Sequence, residues 1–315
     1  MFLKLFDPAG AAAQEQTAAA VVEAFLRAKE HQVTLGTYSP RSLETCRVTM
    51  AAFIAAFGAR LAADVRQADL ISWIAAKTDW KSPHTKTHRM GFVVSAFRWA
   101  ANEGLIERCV LRRDSSHCAT LKPRTAIDPD DFPLFYRTLR RPPILVRRKT
   151  ARAFRRAIWF LWQTGARTGE MRRLRWRDID LDSGAATLVE HKTDADGHER
   201  HIALPRVVRR YLGLVKARTN PAPDALVFPN GRGRAWTNGT LGKQFRRYAR
   251  AANLKHGVTA YSLRHGFCLR CLESSTLNTK QIADLMGHAN TKLIDWYAAN
   301  SKRRKRYLKD LIDRM

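Results

Sequence analysis

Between residues 112 and 131 the chain loses helical periodicity and gathers Ser, Asp and Pro (RRDSSHCATLKPRTAIDPDD). That break constrains the fold more than any other feature. A stretch without an apolar stripe has no face to bury, and it reads as a connection. Enough chain lies on either side of it for two separate cores within the 315 residues. The expected organisation is a helical domain over 17–112, a linker over 113–126, and a second domain over 127–315 that ends in a basic tail.

The first domain reads as helices. Ser39-Pro40 supplies a cap and a first-turn proline, with Leu43 placed for a staple contact, and Val48, Ala51, Ala52 and Ala55 continue at helical spacing. Another helix, from about Thr85 to Gly104, carries Met90, Val93, Val94, Phe97 and Ala101 on one face. In the second domain a helix over 149–163 sets Phe154, Ile158 and Leu161 at core spacing. Gly165 breaks it, and a further helix carries Glu170, Met171 and Leu174. Two β runs, 186–190 and 200–204, read as a hairpin turning through 194–197. The fold class is mainly α with a small β-hairpin sheet.

Lys and Arg number 56 against 28 Asp and Glu, a formal net charge of +28. Such a surface repels itself unless a polyanion compensates, and DNA is the natural partner because each neutralised phosphate releases counterions. A solvated basic surface, a ribosomal protein or a membrane-surface protein are the alternatives on charge alone. The apolar run AIWFLW at 157–162 falls far short of the ~20 residues a membrane span needs. Lys4 and Asp7 interrupt the N-terminal MFLKLFDPAG, against a signal peptide. The five cysteines form no disulfide framework and fit a reducing cytoplasm. Cys268 and Cys271, with His265 three residues earlier, lack a fourth zinc ligand and read as core thiols, so no metal site is expected. There is no GxxxxGK[ST] phosphate loop.

Four boxes follow in order through the second domain. TGARTGEMRRLRWRDID contains Arg167 and Glu170, and EHKTDADGHERHIALP contains Lys192. YSLRH contains Tyr261, Arg264 and His265, and LMGH ends on His288, nine residues before Tyr297. Guanidinium forks hold non-bridging phosphate oxygens, an imidazole donates to another, a lysine protonates a leaving oxygen, and a tyrosine can attack phosphorus.

In these boxes and their order the chain resembles the tyrosine recombinases, the family of phage integrases and Xer-type resolution enzymes. The resemblance implies a two-domain clamp in which a helical core-binding (SAM-like) domain precedes an α+β catalytic domain. It implies strand cleavage through a 3′-phosphotyrosyl link, with Arg167, Lys192, Arg264, His288 and Tyr297 as the catalytic set and no cofactor. Glu170 would support Arg167, and Tyr261 and His265 are further supporting candidates. Tyr261 departs from the pattern, because the family most often has His there and a phenol of pKa about 10 is a poor base near neutrality. Ile294 also stands where the family often has Thr. Lys86, Arg89 and Arg98 in the first domain, and Lys302, Arg303 and Arg304 in the tail, are candidate DNA contacts, with solvated charge as the alternative. The partner implied is double-stranded DNA carrying a specific recombination site, bound by a homotetramer on two duplexes, in the cytoplasm at the nucleoid and not at a membrane. Two rivals stay open on sequence: a type IB topoisomerase-like relaxing enzyme, and an inactive basic DNA-binding protein of the same fold.

Overall fold

The computed structural model describes residues 16–114, 125–141, 146–188, 199–274, 276–288, 290–299 and 312–313. The chain divides into two compact units, Met1–Lys122 and Pro123–Met315.

In the first unit the described helices are α1 (Ala18–Thr34), α2 (Pro40–Phe57), α3 (Gln67–Ala76) and α4 (Pro83–Asn102). Thr17 caps α1, its Oγ1 accepting from the Ala20 N–H at 3.2 Å. Pro40 opens α2 behind Ser39, but the serine side chain makes no cap hydrogen bond. The buried stripe of α2 differs from the expected one. Leu43, Cys46, Thr49, Met50 and Phe53 face inward, whereas Val48 is 56% exposed and Ala51 and Ala55 are exposed. The bulk of the side chains decides this rotation. Phe53 meets Trp73 and Phe97 edge-on, at 5.5 and 5.8 Å between ring centroids. Fully burying such a ring is worth roughly 1.5–3 kcal/mol, more than a stripe of alanines supplies per residue. Met90, Val93, Val94 and Phe97 of α4 are buried as their spacing predicts; Ala100 completes the stripe and Ala101 is only partly buried.

The second unit contains, among the described residues, α5 (Phe132–Thr138), α6 (Arg148–Thr164), α7 (Thr168–Arg173), β1 (Ile179–Asp180), β2 (Ala185–Leu188), β3 (Arg200–Ala203), α8 (Arg206–Thr219), α9 (Asn238–Ala251), α10 (Ser262–Glu273), α11 (Thr279–Met286) and α12 (Lys292–Ala299). Phe154, Ile158 and Leu161 of α6 lie in the core, as expected. The sheet is antiparallel in the order β1-β2-β3, and its two-residue first strand was too short to read in the sequence. Ala186 faces Ile202 and Leu188 faces Arg200. Since side chains alternate along a strand, Ile202 and Arg200 share one face, and both are buried. The expected turn at 194–197 lies outside the described residues.

A separate apolar cluster joins α10, α11 and α12 through Phe267, Cys268, Cys271, Ile282, Met286, Ile294 and Tyr297. Both cysteines are thus core residues. Burial, and then Cys271, pushes the Cys268 thiol up to about 12. Among the described residues no group of three or more His, Cys, Asp or Glu gathers to hold a metal. No helix among them is long and apolar enough to cross a membrane.

Candidate active site

Two helix ends build the site, and a left-handed glycine closes each. Gly165, at φ +64°, ends α6, and a Cβ there would come 2.4 Å from Phe267 Cδ1, so no side chain fits. The turn frees the Gly165 carbonyl, which accepts from Arg264 Nη1 at 2.8 Å. It also launches α7 with Arg167 at its N-cap. Glu170, in the first turn of α7, accepts the Arg167 backbone N–H on Oε2 at 2.8 Å and Arg167 Nη1 on Oε1 at 2.7 Å. A first-turn carboxylate suits the positive end of a helix, and here it also fixes the guanidinium.

Gly287, at φ +61°, ends α11, and His288 follows it, its N–H donating to Ala283 O at 2.9 Å. Arg167 Nη2 reaches across to the Gly287 carbonyl at 2.6 Å, and Arg264 Nη2 donates to the Met286 carbonyl. Arg167, Arg264 and the backbone leading into His288 are therefore tied directly together. Tyr297, on α12, is 4% exposed and packs its ring 5.4 Å from the His265 ring, which lies 5.0 Å from Tyr261 on its other contact. His265 follows Arg264 on α10, so the aromatic chain and the cationic cluster share one helix.

Sequence reasoning missed one member. Arg200, 5% exposed on β3, places Nε 3.5 Å from Glu170 Oε1 and both Nη atoms 3.3 Å from Leu285 O. The signal was the strand alternation, which sends Arg200 inward wherever Ile202 goes inward. Lys192, Lys302, Arg303 and Arg304 lie outside the described residues. In the first unit Lys86 Nζ donates to Ala75 O at 3.2 Å and Arg89 Nη1 to Thr49 Oγ1 at 3.2 Å. The Arg89 guanidinium also lies 4.6 Å from the Trp80 ring centroid, while Arg98 is exposed.

The electrostatics follow from crowding cations into a buried place. Burial, and then the charge of Arg167, lowers Arg264 to about 10. Burial, followed by Arg264 and Arg167, holds His288 down to about 4, so near neutrality it is an uncharged imidazole. Burial alone would raise Glu170; Arg200 and the Arg167 hydrogen bonds outweigh it and keep the carboxyl below its ordinary range. Burial, then Cys268 and Tyr261, raises Tyr297 above the usual phenol value. Two guanidiniums, those of Arg167 and Arg200, thus share the Glu170 carboxylate, and Arg264 adds a third positive charge held by backbone carbonyls. An anion with several oxygens is what such a cluster is built to accept.

A family model described as the phage integrase family matches residues 126–304, more than half of the chain. The chain belongs to the phage integrase family. This integrase-family protein is a tyrosine-type site-specific recombinase, an enzyme that cleaves and rejoins DNA. It is 25% identical over 257 residues to the tyrosine recombinase XerC of Xanthomonas campestris pv. campestris (strain B100), a match covering 80% of this chain and 76% of that one. In fold it is similar to the Tn1549 transposon integrase in complex with transposon right end DNA, with TM-score 0.72 and 18% identity over 93% of this chain and 98% of that one. It is likewise similar to the lambda integrase of a tetramer bound to a Holliday junction, with TM-score 0.64 and 18% identity over 86% of this chain and 78% of that one.

Proposed function

We propose that this recombinase cuts one strand of its site by attack of the Tyr297 hydroxyl on phosphorus. The tyrosyl oxygen–phosphorus bond forms as the bond from phosphorus to the 5′ oxygen breaks, leaving a 3′-phosphotyrosyl link and a 5′ hydroxyl. Lys192 supplies the proton that makes the 5′ oxygen a competent leaving group, and the phenolic proton passes to a base. Among the described residues His265 is the imidazole packed against the Tyr297 ring. Arg167 and Arg264 hold the non-bridging oxygens, and His288 donates to them as charge builds. In the reverse step a 5′ hydroxyl of another strand attacks the phosphotyrosine and releases Tyr297. The bond's energy is kept, so joining needs no ATP.

The observation that carries this reading is the convergence of Arg167, Arg264 and the His288 turn on the end of α11, with Tyr297 packed on the helix that bears Arg264. Tyr297 is only 4% exposed, so most of its side chain is held by packing. The finer organisation belongs to the same reading. Residues 17–112 form a core-binding domain, with Arg98 on its DNA face, and residues 127–315 form the catalytic domain. Lys302, Arg303 and Arg304 of the tail contact phosphates. The working assembly is a homotetramer on two duplexes in the cytoplasm, as the lambda integrase tetramer on a Holliday junction suggests.

Covalent capture tests it. The protein is incubated with nicked duplexes randomised across the core, and DNA that stays attached in denaturant is recovered and sequenced. The parent should select a discrete site, while Tyr297→Phe, which removes one oxygen and little volume, should bind that site and capture none. Adduct in the Tyr297→Phe protein would assign the nucleophile elsewhere.

A further inference from the structure

Three consecutive carbonyls end α11, and each accepts from a different arginine. Leu285 O accepts from Arg200, Met286 O from Arg264, and Gly287 O from Arg167. Carbonyls in a helix's last turn lack partners within the helix and sit at the negative end of its dipole, so cations belong there. Two of the three arginines are explained by the reaction. Arg200 is not, since it follows no recognisable motif and is almost completely buried.

We propose that Arg200 is a positioning residue for DNA cleavage, clamping the α11 turn that carries His288 against the carboxylate that orients Arg167. The inference rests on the roles given to Arg167, His288 and Tyr297 above.

A guanidinium in a sheet face is costly to bury, and an apolar side chain of similar volume would often stabilise the fold as well or better. What Arg200 touches is therefore informative. Apart from the carbonyl of its own neighbour, His201, its hydrogen-bond partners are Glu170 Oε1 and Leu285 O. Its guanidinium also lies against Gly287, where an added Cβ would approach Cζ, Nε and Nη1 to 2.8 Å. Glu170 is the residue that holds Arg167, and Leu285 and Gly287 are the residues that set the start of His288. One planar fork thus spans the two halves of the phosphate-binding group. An ammonium at the same place can reach one of these targets but cannot bridge both.

The test uses the full chain, the duplex selected by the parent, and the variants Arg200→Lys and Arg200→Met, with thermal unfolding measured for each. Single-turnover cleavage by Arg200→Met should slow about 100-fold, the effect of moving a reacting group by ~1 Å. Its final extent and its binding to the duplex should stay near the parent's, and Arg200→Lys should fall between the two. A duplex with sulfur at the 5′ bridging position, which leaves without an acid, should show the same deficit.

A purely structural residue would behave otherwise: the extent of cleavage would fall with the folded fraction while the rate constant stayed parental, and that result overturns the proposal. So does a parental rate in both variants, or failure of both to fold. Recovery on the sulfur duplex would place the action of Arg200 on the leaving-group acid and overturn its assignment to His288 and Arg167. The parent and Tyr297→Phe, run alongside, report on the nucleophile reading by itself. If Tyr297→Phe captures DNA, that reading fails, whatever the Arg200 variants do.

Discussion

Replacing Gly287 by alanine asks how tightly the end of α11 is set. Gly287 holds φ +61° and ψ 52°, where an L side chain costs roughly 1–2 kcal/mol. The new methyl would also lie 2.8 Å from three atoms of the Arg200 guanidinium. Crowding of that kind costs about 1–3 kcal/mol as neighbours shift. Together the terms give about 2–5 kcal/mol. In a unit the size of Pro123–Met315 that lowers the unfolding midpoint by the order of 10 °C. The turn relieves the contact by displacing Arg200 from Glu170 or by carrying the Gly287 carbonyl, and His288 after it, away from Arg167. Either movement approaches 1 Å, for which a loss of about 100-fold in cleavage is expected. Calorimetry gives the first number and single-turnover capture at a temperature where the variant is folded gives the second. A variant with a lowered midpoint and a parental cleavage rate would refute the argument that this turn sets the geometry of the phosphate site.

Lys192→Ala should slow cleavage of ordinary DNA by about 10²–10⁴-fold yet cut the 5′-bridging sulfur duplex at close to the parental rate; equal losses on both would make Lys192 a phosphate contact instead of the acid. His288 should make stability and DNA binding depend on pH. Its folded value of about 4 lies below the ordinary 6.5, so the unfolded chain takes up the proton first, and stability falls as pH falls from about 6.5 to about 4. His288→Gln should lack that increment in thermal unfolding. Bound phosphate reverses the local field and raises the imidazole, so binding of the selected duplex at fixed salt should strengthen as pH falls through the same window in the parent but not in His288→Gln. Matching pH profiles would show that His288 does not face the phosphate.

The parts of the site that sit in short fixed surroundings were legible in the sequence. Arg167 after the Thr-Gly-Ala turn, Arg264 in YSLRH and His288 after Gly287 each follow a local device that also fixes their position in space. Arg200 was not legible, because one arginine among 56 basic residues carries no signal until the register of its strand is known. The stripe of α2 shows the same limit. Several apolar phases fit a helix rich in alanine, and the choice between them is made by Trp73 and Phe97, which arrive from α3 and α4. Tyr261 was identified as a departure from the family pattern, and the structure sets its ring against His265, which also touches Tyr297.

The arginine-bound turn at the end of α11 also bears on when during synthesis this protein becomes able to damage DNA. Arg167 finds its carbonyl 120 residues further along the chain, Arg200 finds its own 85 residues on, and Arg264 reaches back 99 residues to Gly165. Most of the formal charge of +28 lies beyond residue 111, because residues 1–111 hold 13 Lys and Arg against 10 Asp and Glu, so attraction to nucleic acid grows as the second unit emerges. Until residues 285–297 have emerged and folded, however, the chain has neither the turn that holds its arginines nor Tyr297, the nucleophile proposed above. Affinity therefore precedes reactivity, which waits for residues 285–297. On the roles proposed above, a product that stops short of Tyr297 keeps much of the basic surface and lacks the means to cut.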